Sequence, residues 1–190
     1  MTAETREQVS EAELVDRFRR DPELFTAVYD RYFRDIYLYA AGRLDVQVGE
    51  DIAAETFCVA FRDRERFDPG RGGLRPWLFG IATNLMARHR RKEARHYRAL
   101  ARAGDEPVAD SHENRVLNSV AAERMKPQLA KALAALNRGE RDVVTLVSLG
   151  QLSHQEVAEA LGVSYGTVGS RLSRARKKLH NVIDQEDLHG

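Results

Sequence analysis

The stretch "LSHQEVAEALGVSYGTVGSRLSRARKKL", from Leu152 to Leu179, decides the fold of the C-terminal part of this chain. Ser153 followed three residues later by Glu156 forms a capping-box pattern, which predicts that a helix begins there. The letters "LGVS" predict a tight turn, and Ser164 at its end is a residue type that caps a second helix. Two short helices joined by a short turn containing Gly are typical of a helix-turn-helix.

The second helix of this motif has one apolar side and one basic side. The side that helical spacing predicts to be buried comprises Val168, Leu172, Ala175 and Leu179. Small residues on the opposite side allow a helix to lie deep in a major groove, where arginines bind guanine edges or phosphates. A solvated basic helix is the alternative, but residues 163–180 contain five basic residues and no acidic one. The pattern therefore favours binding of duplex DNA. The exposed side comprises Gly166, Ser170, Ser173, Arg174 and Lys177, flanked by Arg171, Arg176 and Lys178.

A net charge of only +1 hides a strong separation of charge along the chain. Residues 62–102 contain 12 basic and 4 acidic residues, and they form a second basic segment far from the helix-turn-helix. Residues 1–61, in contrast, contain 7 basic and 13 acidic residues. This distribution predicts two separate contacts with a polyanion and leaves other surfaces for different partners.

Composition excludes several classes of protein. With 190 residues, 43% of them apolar, the chain is long enough for one medium domain or two small ones. It contains no run near the roughly 20 apolar residues of a membrane span and no signal-peptide pattern, so membrane insertion is not expected. The single cysteine, Cys58, cannot form a disulfide within the chain, and no metal-ligand spacing occurs. We therefore expect a cytoplasmic protein without a metal or other cofactor. Cys58 is interpreted as a small buried packing residue rather than a redox sensor.

Helical patterns dominate the rest of the sequence, and strand patterns are almost absent. Ser10 with Glu13 predicts a short first helix, and Asp21-Pro22 predicts the start of a second. A third helix is expected over about 49–66, and Pro76 is expected to start a fourth of about 25 residues after a loop. The residues of the third helix predicted to face the core are Ile52, Phe57, Ala60 and Phe61.

The segment "AGDEPVADSHEN", which begins at Ala103, has no apolar period and predicts a linker. The expected fold is therefore all-α, with two small helical domains joined by a flexible linker. The predicted bounds are 1–102 for the N-terminal domain, 103–117 for the linker, 118–183 for the C-terminal domain with its helix-turn-helix, and 184–190 for a tail.

The second basic segment joins the letters "RPWLFGIATN" to "ARHRRKEARHYR". An aromatic residue such as Trp77 near a basic helix suits single-stranded nucleic acid, and Asn84 is spaced to hydrogen-bond the edge of an extruded base. The sequence alone leaves the alternative open that Trp77 is a core residue and the basic side chains are merely solvated. The candidates for phosphate binding are Arg88, Arg91, Lys92, Arg95 and Arg98.

The preceding helix contains the acidic letters "EDIAAETF". Asp51 and Glu55 are four residues apart and so share one helix face. No His, Cys or third carboxylate is predicted to join them, and neither a glycine-rich phosphate loop nor a nucleophile motif occurs. We therefore interpret this face as a protein-docking surface rather than a catalytic site.

Four stretches in this order resemble the extracytoplasmic-function (ECF) group of bacterial RNA polymerase sigma factors. They are "IYLYAAGRL", "EDIAAETF", "RPWLFGIATN" before a basic run, and the helix-turn-helix stretch quoted first. The resemblance covers nearly all of the chain outside the linker and the tails. It implies a promoter-specificity subunit that leaves all chemistry to the polymerase.

The resemblance also implies roles for particular residues. Asp51, Glu55 and Phe57 match the surface that binds the clamp helices of core RNA polymerase, where this chain has Ala54 in place of a frequent Gln. The implied partners are core RNA polymerase, through its clamp helices and flap, promoter DNA, and for many members an anti-sigma protein. The residues implied in recognising and opening −10 DNA are Arg66, Arg71, Arg75, Trp77, Asn84, Arg88, Arg91 and Lys92. Those implied in reading the −35 duplex are Ser164, Tyr165, Thr167, Ser170, Arg171, Ser173, Arg174 and Lys177, with Gly169 standing where a basic residue is common.

Two other functions fit part of the pattern. A stand-alone helix-turn-helix repressor or activator would bind a palindrome as a dimer, but it leaves the aromatic and acidic helices without a purpose. An enzyme of nucleic-acid metabolism would need a catalytic constellation, and the sequence shows none.

Overall fold

The computed structural model describes residues 13–15, 21–103 and 132–187. All regular secondary structure in these ranges is helical, which confirms the predicted all-α class. The predicted linker lies outside the described residues except for Ala103, and Ser10 also lies outside them. After a 3-10 turn, Pro22–Leu24, the α-helices are α1 (Phe25–Ala41), α2 (Val46–Arg62), α3 (Leu74–Ala103), α4 (Arg138–Ser148), α5 (His154–Leu161) and α6 (Tyr165–Asp187).

The side chains that cap the helices explain where they begin. The side chain of Asp21 accepts a hydrogen bond from Glu23 N, as the Asp-Pro pattern predicts. Helix α2 begins three residues before its predicted start because Asp45 caps it, with its carboxylate accepting from Gln47 N at 2.9 Å. Helix α2 ends at Arg62, and a separate 3-10 turn replaces the predicted continuation to residue 66. Helix α6 continues through Asp187, beyond residue 183, where the predicted C-terminal domain ends.

Helices α1, α2 and α3 pack around an aromatic core. Phe57 is buried, and its ring lies 5.0 Å from that of Tyr29 and 6.5 Å from that of Phe25. The prediction that Phe61 faces the core is wrong, because its side chain is 39% exposed. One side of the Phe61 ring contacts Phe25, while the guanidinium of Arg64 lies 4.6 Å from its centre.

The N-terminal half (21–103) and the C-terminal half (132–187) pack against each other through α3 and α5, and they share one hydrophobic core. The two helices cross closely at Gly80. A Cβ atom at this position would lie 2.5 Å from the backbone oxygen of Ala160, so only glycine fits without a shift. Phe79 is fully buried beside this crossing. The sequence predicted two domains but not this direct contact between them.

A buried polar network also joins the halves. Arg43 is 7% exposed and donates to Tyr39 Oη at 2.6 Å and to Asp142 Oδ1 at 2.6 Å. Tyr39 Oη is in turn hydrogen-bonded to Thr83 Oγ1 at 2.9 Å. The network therefore links α1, α3 and α4. None of the helices described here combines the length and apolar character that a membrane span needs.

Candidate nucleic-acid interface

The helix-turn-helix forms as its capping residues predict. Ser153 and Glu156 complete a reciprocal capping box at the start of α5. Gly162 ends α5 with a φ of 62°, a left-handed conformation that favours glycine. The hydroxyl of Ser164 then accepts from Thr167 N at 3.2 Å, which fixes the entry into α6. The motif is therefore rigid at both ends of its turn.

Helix α6 has the two sides that its sequence predicts. Val168, Leu172 and Ala175 are buried against the rest of the motif, whereas Leu179, also predicted to be buried, is only half-buried. Arg171 and Thr167 are half-buried at the border between the two sides. Residues 165–181 of this helix contain no carboxylate. The exposed side therefore presents a positive surface of the size and shape that enters a major groove. Its exposed candidates are Ser164, Tyr165, Ser170, Ser173, Arg174 and Lys177.

A buried carboxylate beneath α6 positions two of its basic residues. Glu140 is 1% exposed, and it accepts from Lys178 Nζ at 2.7 Å and lies 3.8 Å from Arg174 Nε. The hydrogen bond from Lys178 lowers the pKa of Glu140, so this carboxylate stays ionised. Glu140 also completes a capping box with Asn137 at the start of α4. This role of Glu140 has no local signal in the sequence, because the two contacts bridge more than 30 residues.

The −10 candidates on α3 lie along one exposed stretch. Asn84, Arg88, Arg91 and Lys92 are exposed. Trp77 is half-buried, with its ring 5.0 Å from that of Phe67. Trp77 therefore packs against the core on one side and lines a cleft on the other, and its contact with single-stranded DNA stays a prediction.

This cleft, of about 710 Å³, separates the loop before α3 from the helix-turn-helix. Arg66, Arg71 and Trp77 line its N-terminal side, and Glu159 and Tyr165 line the other. The carboxylate of Glu159 accepts from Gly73 N at 3.3 Å. A carboxylate of the C-terminal half therefore occupies the loop that the resemblance assigns to an unstacked base.

Arg75 is not free for DNA in this arrangement, in contrast to the prediction. Its guanidinium donates to the backbone oxygen of Gly150 at 2.7 Å and lies 3.4 Å from Glu156 Oε1. Burial alone would raise the pKa of Glu156. The hydrogen bonds from Ser153 and the charge of Arg75 together outweigh burial, so the pKa of Glu156 lies below its usual value. Arg75 thus holds the start of α5 against α3.

The acidic face of α2 is only partly as predicted. Asp51 and Glu55 are exposed, and Glu55 pairs with Arg88 of α3. Phe57 is 4% exposed, so it supports this face from below and cannot itself contact a partner. Cys58 is exposed, which makes its prediction as a buried packing residue wrong. One helical step of 100° separates it from Phe57 and turns it to solvent.

Two family models match the sequence, one in each half. The family model described as "Sigma-70 region 2" matches residues 28–96, and that described as "Sigma-70, region 4" matches residues 126–179. The chain is 36% identical over 143 residues to RNA polymerase sigma factor NccH of Alcaligenes xylosoxydans xylosoxydans, covering 73% of this chain and 75% of that protein. It is 31% identical over 174 residues to ECF RNA polymerase sigma factor SigW of Bacillus subtilis (strain 168), covering 86% and 90% of the two chains.

The fold also matches that of a solved structure, CnrH in complex with the cytosolic domain of CnrY. The TM-score is 0.64 at 24% sequence identity, and the match covers 92% of this chain and 97% of CnrH. This likeness confirms the helical architecture. The roles of individual side chains do not follow from it.

Proposed function

Because the chain belongs to the ECF group of RNA polymerase sigma factors, as its motifs predict, we propose that it binds core RNA polymerase and directs initiation at chosen promoters by reading −35 duplex and opening −10 DNA. Sigma factors regulate transcription and are not enzymes. The observation that carries the proposal is the exposed side of α6, which presents small and basic residues above a core-packed helix-turn-helix.

The −35 role rests on the rigid display of α6. Ser170, Ser173 and Arg174 are exposed in the middle of the helix, where small side chains allow close approach to base edges. Arg174 is held near Glu140 by a 3.8 Å ion pair, yet its side chain is 61% exposed. Glu140 therefore orients the guanidinium from the protein side, while its other side faces solvent, which suits bidentate contact with guanine.

Arg174→Ala is expected to weaken binding of the full chain to a −35 duplex by roughly 1–3 kcal/mol, about 5- to 150-fold, because a bidentate base contact is lost. Fluorescence anisotropy with a labelled duplex measures this. Arg62→Ala removes the same charge from an exposed position on α2 and is the matched control. If Arg174→Ala and the wild type bind the −35 duplex with equal affinity, Arg174 does not contact a base.

The −10 role requires the halves to separate. Asn84, Arg88, Arg91 and Lys92 are exposed, as are Arg66 and Arg71, but Glu159 of α5 contacts this loop at Gly73 and closes one side of the cleft beside Trp77. Separation would release Arg75 from Gly150 and Glu156 and would uncover the cleft beside Trp77. We therefore assign the described arrangement to a closed form and −10 binding to an open form.

Polymerase docking is assigned to the exposed carboxylates of α2, Asp51 and Glu55, with Phe57 as internal support. The partner would be the clamp helices, and the C-terminal half would contact the flap. An anti-sigma protein is a further proposed partner. The solved structure of CnrH is consistent with this proposal, because it is a complex with the cytosolic domain of a second protein, CnrY.

Glu55→Lys is expected to weaken association with core polymerase at least about tenfold, since it reverses a charge on the docking face and places like charge beside Arg88. Pull-down with purified core polymerase measures this, while binding to a −35 duplex stays unchanged. Glu23→Lys makes the same charge change at an exposed residue before α1. Polymerase affinity that falls equally in both variants would show that the docking face lies elsewhere.

Run-off transcription with purified core polymerase tests the whole proposal. We expect transcripts that start at discrete promoters only when this chain is added. The competing function, a stand-alone repressor or activator, predicts no complex with polymerase and tight binding of a palindromic duplex instead.

A further inference from the structure

A second, smaller cleft of about 250 Å³ lies between the two halves, where α3 faces the start of α4. Its charged lining is almost entirely cationic, and both halves contribute. Five arginines and one carboxylate face it: Arg43, Arg90, Arg91, Arg138, Arg141 and Asp142.

The one carboxylate cannot balance these cations. Asp142 Oδ1 is 2.6 Å from Arg43 Nη2, and Asp142 Oδ2 is 3.6 Å from Arg138 Nε, so its charge is already shared. Arg90 donates to the backbone oxygen of Arg43 at 3.0 Å. Arg141 donates to two backbone oxygens, at 3.0 and 3.1 Å. Within the part of the chain that the structure describes, neither Arg90 nor Arg141 forms an ion pair with a carboxylate, and both sense the charge of Asp142 only from a longer distance.

Buried donors in the cleft are also unsatisfied. The Nε atoms of Arg43 and Arg90 are buried and have no hydrogen-bond partner among the described residues. Burial, and after it the charges of Arg43 and Arg141, lowers the pKa of Arg90 to about 10. Native proteins seldom leave buried guanidinium groups without a counter-charge, because removal from water is costly unless an anion compensates it.

We infer that this cleft binds a small oxyanion of the phosphate class, either inorganic diphosphate or the diphosphate group of a nucleotide, which bridges the two halves. Guanidinium groups match phosphate oxygens with paired hydrogen bonds. The volume lies below the range of about 300–1,000 Å³ that is usual for larger ligands.

The binding site exists only when the halves are together, since Arg43, Arg90 and Arg91 come from one half and Arg138 and Arg141 from the other. A ligand that binds one arrangement stabilises it. The bound anion therefore favours the closed form. This inference goes beyond the proposed function, and its test uses neither polymerase nor DNA.

Isothermal titration calorimetry of the full chain with inorganic diphosphate, against chloride at matched ionic strength, tests the inference. We expect saturable binding at one site. Arg138→Gln, at a side chain 60% exposed and thus tolerant of change, is expected to lower affinity about tenfold or more. Arg90→Gln is expected to do the same from the other half. Arg62→Gln, an equal loss of charge at a side chain 70% exposed on α2, is expected to leave affinity unchanged.

A second titration with ADP identifies the source of the anion. Tighter binding of ADP than of diphosphate would indicate a nucleotide ligand, and equal affinity would indicate the free anion. Absence of binding by both ligands overturns the inference. So does an equal loss of affinity in Arg62→Gln and Arg138→Gln, because that result describes unspecific attraction to a basic protein.

Discussion

Asp142→Ala is expected to shift the chain from the closed to the open form by about 3–5 kcal/mol, a change of roughly 150- to 5,000-fold in the ratio of the two. The carboxylate of Asp142 is the charged partner of Arg43, which is 7% exposed at the contact between the halves. Without it, the closed form contains a buried guanidinium that has only the hydroxyl of Tyr39 as a side-chain acceptor. Opening returns Arg43 to water and removes the penalty.

Energy transfer between two dyes measures this shift. Cys58 is the only cysteine and is exposed, so it accepts one dye without further change. Asn181→Cys, at an exposed position of α6, accepts the other. We expect high transfer efficiency in the parent and low efficiency with Asp142→Ala. Glu50→Ala, which removes an exposed carboxylate from α2, is the control and should keep the efficiency high.

A double variant separates the loss of the pair from the loss of packing. Arg43→Met with Asp142→Leu removes both charges and fills the space with apolar atoms, and such replacements are often neutral or stabilising. We therefore expect the double variant to close again, with a coupling energy of opposite sign to the single effects. An Asp142→Ala chain that stays as closed as the parent would show that the ion pair does not hold the halves together.

Local features of the fold were predictable from the sequence because their causes lie within a few residues. The capping boxes require only a side chain and a backbone N–H three residues away, as at Ser153 and Glu156. The two sides of α6 follow from helical spacing, and Val168 and Leu172 are buried as expected. The wrong prediction for Cys58 also has a local cause. Neighbouring residues on a helix point 100° apart, so a residue next to the buried Phe57 can face solvent.

The contact between the halves was not predictable, because its partners are far apart in sequence. Arg43 and Asp142 are 99 residues apart, and Gly73 and Glu159 are 86 apart. In the sequence, Arg75 looks like any other basic residue before a basic helix, and only the structure shows it bound to Gly150. The cationic cleft is likewise formed by both halves, so no short stretch of sequence predicts that its arginines lie together.

Gly80→Ala sets two opposite effects against each other. Alanine is favoured over glycine inside a helix by about 0.8–1 kcal/mol, so α3 alone should become more stable. In the closed form, however, the new Cβ would lie 2.5 Å from the backbone oxygen of Ala160. A backbone atom cannot rotate away as a side chain does, and overpacking of this kind costs about 1–3 kcal/mol or more. We therefore expect the closed form to be lost while the N-terminal half gains stability.

Two measurements distinguish these effects. Energy transfer between the dyes at Cys58 and Asn181→Cys should fall with Gly80→Ala, and the midpoint of denaturant unfolding of the N-terminal half should rise. The control is Gly169→Ala in α6, where an added Cβ meets no atom within 4 Å, so it should leave transfer unchanged. Because opening uncovers the cleft beside Trp77 and frees Arg75, Gly80→Ala should also bind a single-stranded −10 oligonucleotide more tightly than the parent. High energy transfer together with unchanged oligonucleotide affinity would mean that α3 and α5 separate by a small shift without opening, and that contact at Gly80 does not control access to the loop proposed to bind −10 DNA.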